Sequence, residues 1–237
     1  MIRLVLSFLL VFSVTATPSY DYFHLVLQWP GSFCNVNRCC RMSTGYPKKN
    51  FTIHGLWPAF HNGTFPSCDK NPPLPPASRY NESQMRPLKK MMIEHWHSFR
   101  CPSSDGHSFW RHEWEKHGTC SLSRFDQLSY FEAALKLKNK VDILLRLNKR
   151  NIFPDNDRYS SRRIFQIIRR EVSYKPAMQC NTKSGKQQLY QIHICVNKQG
   201  KEFIDCKVRI KRKCTVSQIV FPRFPKFRYA KYPCLTS

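Results

Sequence analysis

Hydrophobic and polar residues alternate from Tyr22 to Trp29. Phe23, Leu25, Leu27 and Trp29 point one way, and Tyr22, His24, Val26 and Gln28 the other. Period two over this length predicts a strand, whose second face is polar enough to line a cleft. Phe51 to Trp57 predicts another. Between residues 60 and 84, Pro66, Pro72, Pro73, Pro75 and Pro76 exclude regular structure, which predicts a loop. The spacing then turns helical. It predicts helices over Pro87–Phe99, with proline accommodated in the first turn, and over Ser108–His117, stopped by Gly118. Phe125–Arg150 has helical spacing and room for two pieces, and Tyr159–Val172 predicts a further helix with a basic outer side. Leu189–Val196 and Glu202–Val208 predict strands joined by a turn at Lys198-Gln-Gly200. Strands towards both ends and helices between them predict an α+β fold, an antiparallel sheet with packed helices. Nothing marks an internal boundary, so residues 17–237 read as a single domain, long enough for a sizeable core.

The first residues change the picture of where the chain goes. A lone Arg3, an apolar run from Leu4 to Val14 and then Val-Thr-Ala predict a secretory signal peptide over residues 1–16. The run is shorter than the ~20 residues of a membrane span, and no later segment is long enough, so a secreted protein without stable membrane insertion is expected. Eleven cysteines suit an oxidising extracellular setting, and the odd number leaves at least one outside an intramolecular pair. Sequons at Asn50, Asn62 and Asn81 predict at least one glycan in a secreted chain.

Charge narrows the partners. The formal net charge is +24. From residue 136 onward 25 Lys and Arg face 6 Asp and Glu, a net of +19, against +5 in residues 1–135. Such a field attracts polyanions, but it does not separate binding from cleaving them.

Two segments carry candidate chemistry: Phe51-Thr-Ile-His-Gly-Leu-Trp-Pro58 and Phe109-Trp-Arg-His-Glu-Trp-Glu-Lys-His-Gly-Thr-Cys120. In the second, Glu113, Lys116 and His117 are three and four apart and share a helical face, bordered by His112. Trp110 and Trp114 form the adjoining aromatic side. The spacing of five from His112 to His117 turns a helix by ~500° and leaves the rings ~140° apart, a poor arrangement for two ligands of one zinc ion. No metal and no cofactor are expected. In the first segment His54 alternates with Thr52, Gly55 allows close approach of a ligand or backbone, and Trp57 offers a stacking surface. Two histidines, an acid and an ammonium are the parts needed to cleave RNA through its own 2′-hydroxyl: a base, an acid, and positive charge at the phosphorus. Neighbouring aromatics would hold bases by stacking.

His-Gly-Leu-Trp-Pro (54–58) and His-Glu-Trp-Glu-Lys-His-Gly-Thr-Cys (112–120) resemble the two catalytic boxes of the ribonuclease T2 family, and Tyr-Asp-Tyr-Phe-His-Leu-Val-Leu-Gln-Trp-Pro (20–30) resembles its opening strand. The basicity and layout look most like the style ribonucleases of self-incompatibility. The resemblance implies a base-tolerant endoribonuclease acting on single-stranded RNA through a 2′,3′-cyclic phosphate. It implies His117 as general base and His54 as general acid of the cyclising step, with Glu113 and Lys116 stabilising the phosphorane. It implies His112 holding phosphate or substrate, and Gln28, Trp57, Phe109 and Trp110 contacting the nucleotide. It also implies the pairs Cys34–Cys39, Cys68–Cys120, Cys180–Cys214 and Cys195–Cys206, and leaves Cys40, Cys101 and Cys234 unplaced. For a style enzyme it implies a recognition surface for pollen F-box proteins around residues 60–95. The alternatives are a defence or phosphate-scavenging ribonuclease and a non-enzymatic polyanion-binding protein.

Overall fold

The computed structural model describes residues 19–68, 76–103, 105–207 and 211–227. The expected signal peptide and Cys234 lie outside these. Three long strands form the centre of one sheet: β1 (Tyr22–Gln28), β2 (Thr52–Ala59) and β5 (Lys186–Val196). β1 pairs antiparallel with β2 on one side and β5 on the other. β4 (Ala177–Lys183) and the short β6 (Phe203–Ile204) also pair antiparallel with β5. The sheet ends with β7 (Gln218–Val220), which meets β5 in parallel at Gln188, and β3 (Arg158–Ser160). The expected α+β class is therefore present, with that one parallel bridge among antiparallel pairs.

The helices are α1 (Pro30–Cys34), α2 (Lys89–His95), α3 (His107–Lys116), α4 (Gln127–Asn139), α5 (Ile143–Asn148) and α6 (Ser161–Val172). Several expectations shift at their edges. The helix expected from Pro87 is a 3-10 turn over Glu82–Leu88, opened by the Asn81 side chain accepting from Ser83 N–H, and becomes α-helical only at Lys89. The stretch 125–150 divides at Lys140–Asp142, where Asp142 caps α5. β4, β7 and α1 were not legible in the pattern: β4 is half-polar, β7 has three residues, and α1 opens on Trp-Pro. Gly118 does not end α3 by a left-handed turn. It opens a 3-10 turn, Gly118–Ser121, and its missing Cβ admits the Trp114 ring, which a Cβ would approach to 2.3 Å.

The core lies between the sheet and the helices. Phe23, Leu25, Leu27 and Trp29 face it together, beside Trp96, Trp114, Tyr130 and Phe131, all essentially without exposure. Five disulfides staple the loops. Four are the pairs Cys34–Cys39, Cys68–Cys120, Cys180–Cys214 and Cys195–Cys206; the fifth joins Cys40 to Cys101. That fifth bridge spans 61 residues and ties the chain after α1 to the segment before α3. No described helix is long and apolar enough to cross a membrane.

Candidate active site

A β-bulge sets the geometry. Val26 pairs with Gly55 and Leu27 with Ile53, so His54 is an extra residue opposite no partner. The inserted residue reverses the in–out alternation of β2. Ile53 and Leu56 both enter the core, while Thr52, Gly55 and Trp57 share the cleft side with Gln28, Val26 and His24 of β1. The bulged carbonyl of His54 leaves the ladder and accepts from Trp96 Nε1 at 2.9 Å, and Leu56 O accepts from Tyr130 Oη at 2.7 Å. Both bonds fix the strand that carries the histidine.

α3 brings Glu113 against this strand. Its carboxyl is buried, with Oε1 3.7 Å from His54 Nε2 and Oε2 accepting from Trp57 Nε1 at 2.8 Å. Gly55 makes this possible: a Cβ there would lie 2.1 Å from Trp57 Nε1 and 2.2 Å from Glu113 Oε2. The close approach expected at Gly55 is thus made by the protein's own side chains. His117 follows the last helical residue and stacks on Trp57 at 5.0 Å between ring centres. Trp57 stands edge-on to His54, also at 5.0 Å. A cleft of about 470 Å³ opens beside them. Gln28, His54, Phe109, His112 and Glu113 line it, with Tyr190, Arg100 and Cys101 at its wall. Lys116 is exposed on the next turn of α3 and acts through its charge on both Glu113 and His117.

One expected substrate contact is corrected. Trp110 is wholly buried and donates from Nε1 to Trp96 O at 2.9 Å, so its ring is core and cannot touch a nucleotide in the cleft. Of the sequons, Asn62 and Asn81 are exposed. Asn50 is half-buried and donates from Nδ2 to Asp142 Oδ1 at 3.3 Å.

One side chain had not been singled out. Gln191, on β5 and 3% exposed, donates from Nε2 to His54 Nδ1 at 2.6 Å and to Gln28 Oε1 at 3.1 Å. With Nδ1 accepting, the proton of the neutral His54 ring sits on Nε2, towards Glu113. The available signal was the alternation of Gln191 and His193 with Ile192 and Ile194 in the predicted strand. Tyr190 reaches the cleft wall because a second bulge, opposite Gln179–Cys180 of β4, lets the strand turn it outward.

Burial dominates the electrostatics. It lowers His54 to about 4, with the His112 charge adding to the effect. His117 is lowered to about 3, by burial first and then by His54, His112 and Lys116. Glu113 moves the other way, to about 8, because burial outweighs the Trp57 hydrogen bond and the Lys116 charge. The site therefore holds two neutral imidazoles at neutral pH. An anion placed between them would raise both affinities for protons, and the open edge of His54, 26% exposed, is where it would arrive.

The chain that carries this constellation is similar over most of its length to known proteins. Extracellular ribonuclease LE of Solanum lycopersicum is 43% identical over 215 residues, covering 89% of this chain and 90% of that protein. The crystal structure of RNase NT in complex with 5′-AMP superposes with a TM-score of 0.78 at 39% identity, over 86% of this chain and 99% of that one. The self-incompatibility-associated SF11-RNase of Nicotiana alata gives 0.70 at 31% identity, over 86% and 100%. The likeness to a style enzyme is thus no greater than to these other ribonucleases. The Ribonuclease T2 family profile matches residues 20–206, and the chain belongs to that family.

Proposed function

We propose that this protein cleaves single-stranded RNA by transesterification at the 2′-hydroxyl. His117 takes the 2′-hydroxyl proton, the oxygen attacks phosphorus, and the bond from phosphorus to the 5′-oxygen breaks as His54 delivers its proton to that oxygen. Water then opens the 2′,3′-cyclic phosphate with the two roles exchanged, leaving a 3′-phosphate. Lys116 supplies positive charge to the five-coordinate phosphorus with Glu113 beside His54, and His112 holds the phosphate or the substrate. Phe109, Trp57 and Gln28 offer the base a ring or an amide, which selects weakly among bases. The observation that carries the reading is the convergence of His54, Glu113 and His117 on the Trp57 indole beside the cleft.

The protonation states support it with one condition. His117 is neutral, as a base must be. His54 becomes an acid once a phosphodiester places negative charge beside it and the Gln191 amide turns its oxygen to accept from the new Nδ1–H, so cleavage should speed up as pH falls below neutrality. The test is digestion of RNA with EDTA present. Cleavage persists in the native protein and falls by roughly 10²–10⁴-fold in His54→Ala and in His117→Ala. Undiminished activity in His117→Ala would overturn the mechanism.

Secretion, with glycans at the exposed Asn62 and Asn81, belongs to the same proposal and is read by the mass and glycosidase sensitivity of exported protein. A style-side role in self-incompatibility, with F-box proteins meeting residues 60–95, is a second reading. The strong basic charge favours it. Transcript confined to the style, and differing between plants that reject each other, supports that role; expression in roots or wounded leaves favours defence or phosphate scavenging.

A further inference from the structure

The largest charge excess lies away from the cleft. α5 and α6 pack side by side and enclose a groove of about 600 Å³, lined by Arg146, Lys149, Arg150, Ile167, Arg170 and Glu171. Its one carboxylate is occupied: Glu171 accepts from Arg146 Nε and from Asp142 N–H. Among the described residues, no ion pair engages Lys149, Arg150 or Arg170, and all three side chains are exposed. The opposite side of α6 is spent in the core, where Ile164, Ile168 and Val172 are buried. α6 therefore has no apolar face to insert into a lipid surface, which an interfacial helix needs.

A second groove of about 480 Å³ adjoins this one at Glu171, but its charges are balanced: Lys48, Lys138 and Lys140 line it together with Glu94, Asp142 and Glu171. Lys48 pairs with Glu94, and Lys138 is buried. The excess of cations therefore belongs to the first groove.

We propose that the groove between α5 and α6 is a track for the phosphate backbone of a long single strand whose scissile phosphate lies in the catalytic cleft. This rests on the ribonuclease reading above. The ligand chemistry is a run of phosphodiesters, held by cations rather than read base by base, so the track serves polymer and not dinucleotide. Each ammonium or guanidinium that displaces a condensed counterion contributes ~0.7 to the slope of log affinity against log salt.

The test compares the native protein with the Lys149→Ser, Arg150→Ser, Arg170→Ser variant. Binding is measured on single-stranded DNA, which offers the same phosphates but no 2′-hydroxyl, and cleavage on a dinucleoside monophosphate and on long polyuridylate. The triple variant should bind single-stranded DNA roughly 50-fold more weakly at about 0.15 M salt, with the salt slope reduced by about 2. Its kcat/KM should fall on polyuridylate and hold on the dinucleotide. The charge-keeping Lys149→Arg, Arg150→Lys, Arg170→Lys variant should retain native binding. Unchanged polymer affinity and slope in the serine variant would overturn the track. So would loss of binding to phosphatidylserine vesicles with polynucleotide binding intact, because the cations would then serve a membrane. If the native protein binds the polymer with the expected slope but cleaves nothing, the ribonuclease reading fails and the track stands.

Discussion

Gly55→Ala tests how the site is assembled. A Cβ at this position would sit 2.1 Å from Trp57 Nε1 and 2.2 Å from Glu113 Oε2, between the partners of a 2.8 Å hydrogen bond. Either the indole or the carboxyl must move by more than an ångström, and the surroundings are tight, since Glu113 is 1% exposed and α3 is packed against the core. Overpacking of this kind costs about 1–3 kcal/mol. The lost bond to a buried carboxyl costs a further ~1.5–3 kcal/mol. Alanine recovers about 0.5–1 kcal/mol of backbone entropy. The net is a destabilisation of roughly 2–5 kcal/mol, a large share of the ~5–15 kcal/mol typical of a domain. Urea denaturation at neutral pH measures it, and cleavage of a dinucleotide should fall in parallel because the Trp57 ring carries His117. In a Trp57→Ala background the same substitution should cost less by about 1.5–3 kcal/mol, since the bond is already gone and the carboxyl can swing away. A loss below about 1 kcal/mol in the native background, or an equal loss in both backgrounds, would refute the idea that Gly55 exists to let these two side chains meet.

Three further outcomes follow from burial and cross-linking. Burial lowers His24 to about 4 and holds His193 well below the ordinary imidazole range, so the unfolded chain binds more protons than the folded one below about pH 6.5. Stability should therefore fall as pH drops from 6.5 towards 4, and His24→Gln should flatten that fall in urea midpoints taken across the range. Glu113, raised to about 8, has the opposite sign: its contribution is full below about 4.5 and is lost as pH rises through 8, so Glu113→Gln should remove an alkaline decline. The Cys40–Cys101 bridge closes a long loop and sits at the cleft wall, so replacing both cysteines by serine should cost roughly 2–4 kcal/mol in the urea midpoint and raise KM more than it lowers kcat.

The chain itself determined the strand of Tyr22–Gln28, the helix of α3, the hairpin at Gly200 and the grouping of Glu113, Lys116 and His117, because each depends on residues near one another in sequence. Period two and a three-and-four spacing are enough to place those side chains. The partners of His54 were beyond such reach. Strict alternation from Thr52 would have put Trp57 in the core and Leu56 in the cleft. Only pairing with β1, and the one-residue bulge that pairing forces, sends Leu56 inward and brings Trp57 out to Glu113 and His117. The nucleotide contact implied for Trp110 came from the resemblance, and helical spacing could not check it: spacing shows which residues share a side, but not whether that side meets solvent or Trp96. Gln191 needed the neighbouring strand β5 to lie beside β1, and the Cys40–Cys101 pair needed segments far apart in the chain to fold together. Local order follows from local sequence, whereas which side chains touch across the sheet depends on register, and register is a property of the assembled strands.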